Sequence, residues 1–142
     1  MNGKYKSLLL PDNKEFQQVI EECSARPSTW INDLIKAVYM DLYRRGYAHS
    51  IEVWHRGNLA GGLYGVAYKG AFFGESMFHY VTNASKVAVV RLYEILKMND
   101  FILLDIQMMT PHFETFGAIE IPKNSYHEIL ARAMEVERSF KY

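Results

Sequence analysis

Apolar residues recur three and four positions apart in some stretches of the chain and at every second position in others, and the switches between these spacings mark out its elements. Over residues 13–24, Phe16, Val19, Ile20 and Cys23 share one face of a short helix. That helix must end before Pro27, because proline offers no amide hydrogen and clashes with the preceding turn. From Thr29 onward Ile31, Leu34, Ile35, Val38, Tyr39, Leu42 and Tyr43 keep helical spacing, with Ser28 or Thr29 predicted as the cap and Gly46 as the terminator. Strand patterns follow over His49–Trp54, Leu59–Tyr68 and Ala71–Phe78, joined by turns at Gly57-Asn58 and Lys69-Gly70, which predicts an antiparallel meander.

Beyond the meander, Asn83 is placed to cap a helix in which Val87, Val90, Arg91 and Glu94 fall on successive turns, with Val89, Leu92 and Leu96 beside them, closing near Asn99. Phe101–Gln107 reads as an aliphatic strand. A loop through Thr110, Pro111 and His112 leads to a short turn before Gly117, and Ala118–Ile121 is predicted as a last short strand. Ser125 and Glu128 have the spacing of a capping box for a final helix bearing Ile129, Leu130, Ala133 and Met134. The predicted order ααβββαββα describes a mixed α/β (α+β) domain whose sheet is mainly antiparallel and flanked by helices.

Composition narrows this picture. The 142 residues, 49% of them hydrophobic, supply one core, so a single domain over 1–142 is expected. The 16 Lys and Arg balance the 16 Asp and Glu, so net charge gives no reason to expect a nucleic-acid partner. The single cysteine, Cys23, excludes an internal disulfide and fits a buried structural thiol in a reducing setting better than a nucleophile. The apolar run Leu8–Leu10 is too short for a signal peptide or a membrane span, so a soluble, cytoplasmic protein is expected.

Candidate chemistry concentrates on two strand patterns. Regular alternation in Leu103-Leu104-Asp105-Ile106-Gln107 would put Asp105 and Gln107 on one face and Leu104 and Ile106 on the other. On a face opening into a cleft, the Asp105 carboxylate would accept from the Gln107 amide and leave the amide oxygen to receive a substrate N–H. On a half-exposed strand both residues would merely be solvated. In Phe72-Phe73-Gly74-Glu75-Ser76-Met77-Phe78 a carboxylate sits inside an aromatic run, so Glu75 needs a partner or a cleft unless it faces outward from an edge strand. Gly61, Gly62, Gly65 and Gly74 interrupt strand patterns, as bulges or as places of close backbone approach by a ligand. Trp30, at the start of a helix, reads as core packing sooner than as a stacking platform. The five histidines have no metal-ligand spacing, and neither a phosphate-binding G-x-x-x-x-G-K-[ST] nor a G-x-S-x-G elbow occurs, so no metal and no nucleotide cofactor is expected. His112 could act as a base but has no matched nucleophile.

The strings Ala48-His49-Ser50-Ile51-Glu52-Val53-Trp54, Gly61-Gly62-Leu63-Tyr64-Gly65-Val66-Ala67, Phe73-Gly74-Glu75-Ser76-Met77-Phe78, Asn83-Ala84-Ser85-Lys86 and Thr110-Pro111-His112 together resemble the bacterial leucyl/phenylalanyl-tRNA–protein transferases, in order from about Phe16 to Leu130. The resemblance implies an acetyltransferase-like fold that uses aminoacyl-tRNA in place of acetyl-coenzyme A. It implies an enzyme moving leucine or phenylalanine, and by extension methionine, onto the N-terminal α-amine of an acceptor protein beginning with Arg or Lys, which marks that protein for N-end-rule degradation. No cofactor is implied, since the ester already carries the activation.

Carried over residue by residue, the resemblance makes Asp105 and Gln107 the catalytic pair. It places Leu63, Phe72, Glu75, Val89, Leu92 and Leu104 around the amino-acid side chain, stacks Trp30 on the terminal adenine, and adds Thr110 to the substrate-binding set. Where the family commonly has Asp-Cys-Gln this chain has Asp105-Ile106-Gln107, a change expected to alter packing on the far face of the strand. Relative to the family pattern the chain is N-terminally shortened, lacking the tryptophan- and arginine-rich segment that completes the adenine site. A monomer without membrane contact is expected. Two other functions stand beside transfer: a non-catalytic module binding an aminoacyl end or an N-terminal residue, and a coenzyme A-dependent acetyltransferase, for which no pyrophosphate loop is visible.

Overall fold

The computed structural model describes residues 5–8, 13–25, 31–107 and 111–142. Five strands form one sheet in sequential order: β1 (Tyr5–Leu8), β2 (Ala48–His55), β3 (Asn58–Tyr68), β4 (Ala71–His79) and β5 (Leu103–Asp105). The first four are antiparallel neighbours, and β5 joins β4 in parallel. Helices α1 (Asn13–Ser24) and α2 (Asp33–Arg44) precede β2, and α3 (Ala84–Met98) crosses from β4 to β5. The short α4 (Pro111–Glu114) and then α5 (Lys123–Met134) follow β5. Among the described residues no helix is long and apolar enough to cross a membrane.

Alternation along the strands feeds two cores. Ile51, Val53, Leu63, Ala67 and Phe72 meet Ala84, Ala88, Val89, Leu92, Ile95 and Leu96 of α3. Tyr64 and Phe78 look the other way, under Phe16, Val19, Ile20 and the fully buried Cys23 of α1, with Ile35, Tyr39, Leu42 and Tyr43 of α2 completing the cover. A third contact seats Ala133 of α5 on Ala71 and Leu103.

The meander, the central helix and the mixed fold class are as the patterns predict, and the departures have local causes. The α2 cap is Asn32, whose side chain accepts the Ile35 N–H at 2.9 Å; Ser28 and Thr29 lie outside the described residues. The first hairpin turns at Arg56-Gly57, both left-handed (φ 52° and 81°), one residue earlier than expected. Strand β1 was not predicted. Helix α5 starts after Pro122, whose carbonyl accepts the Tyr126 N–H at 3.0 Å, so Ser125 lies within the helix and the predicted capping box does not close it. Ala118–Ile121 is not a strand: it has no ladder partner among the described residues, and Ile119 is 76% exposed.

The predicted strand Phe101–Gln107 shrinks to Leu103–Asp105, and the residue that ends it is Asp105 itself. Its Oδ1 accepts the N–H of Gln107 at 2.7 Å, a side-chain turn that competes with the ladder for that amide. Gln107 then takes φ 65°, which no strand accommodates.

Candidate active site

Strands β4 and β5 pair over only three positions, Ala71–Phe73 with Leu103–Asp105. Both strands then leave regular geometry. On β4, Tyr64 faces Ser76 and Gly65 faces Gly74, so Glu75 is an extra residue extruded as a bulge. On β5 the left-handed Gln107 turns the chain away. The two strands part, and the wedge between them opens a cleft of about 640 Å³.

Gly74, Glu75, Ser76 and Met77 form one wall of this cleft, and Leu104 and Ile106 form the other. The buried side chains of Leu63, Val89 and Leu92 make its floor. Phe113, Phe116, Ile119 and Ile121 also line it, as do Val90, Tyr93 and Ile102, and of these Val90, Tyr93, Ile102, Phe116 and Ile119 are exposed. Leu63, Glu75, Val89, Leu92 and Leu104, five of the six side chains expected around the pocket, thus meet there, although they come from three strands and a helix. Phe72 does not. Its ring lies over Gly65, where an added Cβ would stand 2.5 Å from Phe72 Cε1, and stacks on Phe140 at 5.3 Å, so the side chain is fully buried in the core. Trp30 and Thr110 fall outside the described residues, as does the side chain of His112.

The polar groups collect at the point of divergence. Glu75, half-buried on the bulge, accepts a hydrogen bond from the Tyr39 hydroxyl. Burial pushes that phenol well above its usual range, and the Glu75 carboxylate adds to the effect. Asp105 is held by two donors: Oδ2 accepts from the Tyr126 hydroxyl and Oδ1 from the Gln107 N–H, each at 2.7 Å. Donating to that carboxylate is the main reason the Tyr126 phenol is pushed up to about 12, with burial and the negative charge adding to it.

The pairing expected between the Asp105 carboxylate and the Gln107 amide is therefore replaced by one to the Gln107 backbone. The amide itself swings back to β4, where Nε2 donates to the Gly74 carbonyl at 2.6 Å. That bond occupies a strand carbonyl at the place where β5 no longer runs alongside. It also commits the NH₂ end of the amide and leaves Oε1 as the acceptor end. Ile106, expected to affect packing only, is a wall of the cleft, because Leu104 and Ile106 carry the face that looks into it.

Sequence reasoning missed Tyr39, Tyr126, Met77 and Phe113. Tyr126 sits three residues before Ile129 on the helix's apolar face, so its hydroxyl needed a partner, but nothing in the spacing names the strand end it meets. For Gly61 and Gly65 the glycine question resolves toward protein packing: a Cβ at Gly61 would lie 2.7 Å from Ala84 Cβ, and one at Gly65 would lie 2.4 Å from the Phe73 carbonyl oxygen, whereas at Gly74 the nearest atom would be 3.6 Å away. Among the described residues no group of three His, Cys, Asp or Glu side chains is placed to hold a metal ion.

The chain is similar to known proteins both in sequence and in fold. Residues 4–131 match the sequence model of the family described as leucyl/phenylalanyl-tRNA protein transferase. The chain is 52% identical over 124 residues to the leucyl/phenylalanyl-tRNA–protein transferase of Salinibacter ruber, covering 87% of the chain and 55% of that protein. It is 48% identical over 132 residues to the one of Rhodopseudomonas palustris, covering 90% and 59%. The chain thus spans little more than half the length of these relatives. Among solved structures, a predicted acetyltransferase with acetyl-CoA from Clostridium acetobutylicum superposes with TM-score 0.63 at 8% identity, covering 85% of this chain and 92% of that one. An aminoglycoside acetyltransferase from a soil metagenome in complex with sisomicin gives TM-score 0.55 at 13% identity, covering 94% and 87%. At such identities the likeness is one of fold, and the fold is that of the acetyltransferases.

Proposed function

Because the chain belongs to the leucyl/phenylalanyl-tRNA protein transferase family, we propose that it is an aminoacyltransferase core in which the cleft between β4 and β5 receives the leucyl or phenylalanyl side chain of a charged tRNA. The observation that carries this reading is an apolar wedge lined by Gly74, Leu104 and Ile106, beside which Asp105 and Gln107, themselves outside the lining, form the turn bonded to the Gly74 carbonyl. Burying a leucyl or phenylalanyl side chain against Leu63, Val89, Leu92, Leu104 and Met77 contributes about 1.5–3 kcal/mol. The walls suit chains unbranched at Cβ, which extends the reading to methionine.

The reaction is aminolysis of an ester. The α-amine of an acceptor beginning with Arg or Lys attacks the acyl carbon, a C–N bond forms, and the C–O bond to the ribose breaks. The proton lost from nitrogen passes to the departing ribose oxygen. Gln107 Oε1 accepts an N–H of the attacking amine and fixes its approach, while Asp105 and the Gly74 carbonyl fix Gln107. An amide is a feeble base, so the contribution is orientation and electrostatic complementarity to the transition state. Glu75, with Tyr39 behind it, sets a negative charge at the cleft wall that disfavours anionic acyl groups. The family resemblance assigns Trp30 to the terminal adenine and Thr110 to substrate binding in this reading. In this reading the protein acts as a monomer in the cytoplasm, needs no cofactor, and marks its acceptors for N-end-rule degradation.

The test is transfer of labelled leucine from charged tRNA to a peptide beginning with Arg. Wild type should transfer, and Asp105→Ala should lower kcat about 100-fold, or ~2.7 kcal/mol of activation free energy, with little change in KM. Folded wild-type protein that transfers no label refutes the proposal.

A further inference from the structure

Helix α5 is fixed to the sheet at two places. Near its C-terminal end Ala133 is fully buried, and its carbonyl accepts the Gly70 N–H at 2.9 Å. Two turns earlier, in the first turn of the helix, the Tyr126 hydroxyl donates to Asp105 Oδ2 at 2.7 Å. The second oxygen of that carboxylate accepts the Gln107 N–H, and Gln107 Nε2 donates to the Gly74 carbonyl. These bonds link the helix, through the end of β5, to the bulged stretch of β4.

The turn in the middle of this chain is under load. Gln107 holds φ 65°, a conformation unfavourable for a residue with a side chain, and such conformations persist only where the surroundings over-determine them. A carboxylate gripped only by the amide two residues on would still swing about its side-chain torsions. A second donor from a different element removes that freedom.

We propose that Tyr126 is a positioning residue for aminoacyl transfer: through Asp105 it locks the left-handed turn that presents Gln107 at the cleft. The role rests on the transferase reading above, but its mechanical part is measurable without turnover. Tyr126→Phe removes only the hydroxyl and leaves the ring in place.

Two experiments test it. In amide hydrogen exchange followed by NMR, the Gln107 N–H should exchange about tenfold faster in Tyr126→Phe, while the Gly70 amide, bonded to the other end of α5, keeps its wild-type rate. In the transfer assay the same variant should lose about 10- to 50-fold in kcat with KM for leucyl-tRNA within about twofold. Placed in an Asp105→Asn background, Tyr126→Phe should cost almost nothing further, because its route of action has been removed. Unchanged Gln107 exchange, or two substitutions whose effects simply multiply, would overturn the positioning role. Faster Gln107 exchange in a protein whose wild type transfers nothing would leave the positioning standing and reject the transferase reading.

Discussion

Strands β3 and β4 stay paired over eight positions, whereas β4 and β5 part after three, and the two seams use similar residues to opposite ends. Along the first, glycine admits the protein to itself: the ring of Phe72 fills the space a side chain at Gly65 would need. Along the second, Gly74 has room above it, the nearest atom to an added Cβ being the Asp105 carbonyl oxygen at 3.6 Å. Carboxyl groups differ in the same way. Glu52, on the closed part of the sheet, is 2% exposed with Oε2 unpartnered, and burial, reinforced by the nearby Glu15, pushes it up to about 8. Asp105, at the open seam, is met by two donors. Where pairing continues, the sheet fills its gaps with its own side chains and buries a carboxyl oxygen without a partner. Where pairing stops, it is left with an apolar cavity and groups able to orient a ligand.

Adding one methyl to each seam should separate them. Gly65→Ala forces a methyl into the Phe73 carbonyl and the Phe72 ring, and should destabilise the fold by about 3 kcal/mol or more in denaturant unfolding. A loss under about 1 kcal/mol would mean that the closed seam is not closely packed.

Glu52 tests the closed region through pH. Its folded pKa, about 8, lies above the ordinary 4.5, so the native state holds the proton more tightly than the unfolded chain. The stability this contributes is complete below about pH 4.5 and is lost as pH rises through about 8. The loss should amount to about 5 kcal/mol at most across that window. Glu52→Gln should flatten the profile and be the more stable protein at the alkaline end. A wild-type profile equally flat over this range would contradict burial without compensation. The smallest effect belongs to Gly74→Ala, expected to change stability by less than about 1 kcal/mol, since the methyl makes only an ordinary van der Waals contact with the Asp105 carbonyl oxygen at 3.6 Å.

The sequence made the closed region easy to read and the open one hard. Meander and central helix follow from apolar spacing and turn residues, because every position in them is decided by neighbours a few residues away or on the adjacent strand. The wedge depends on where pairing stops. Alternation predicts a strand through Gln107, and only the competition of the Asp105 carboxylate for the Gln107 amide ends it. Asp105 and Gln107 were therefore identified as partners with the wrong atoms in contact, and Ile106 was assigned away from the site although it lines the cleft. Leu63, Glu75, Val89, Leu92 and Leu104 came from resemblance, since no periodicity brings three strands and a helix to one cavity. Phe72, drawn from the same source, is held in the core by Gly65 and Phe140. Tyr126 required a tertiary contact 21 residues away in sequence.

The central claim is that the open seam is the acyl-binding site. The most direct measurement is two-dimensional NMR titration of the protein with a non-hydrolysable phenylalanyl-adenosine amide. Saturable shifts should appear at Met77, Val89, Leu92, Leu104 and Gln107, with Gly65 and Glu52 unmoved. Saturable binding whose shifts lie on β2 and β3, leaving the residues between β4 and β5 silent, would contradict the account.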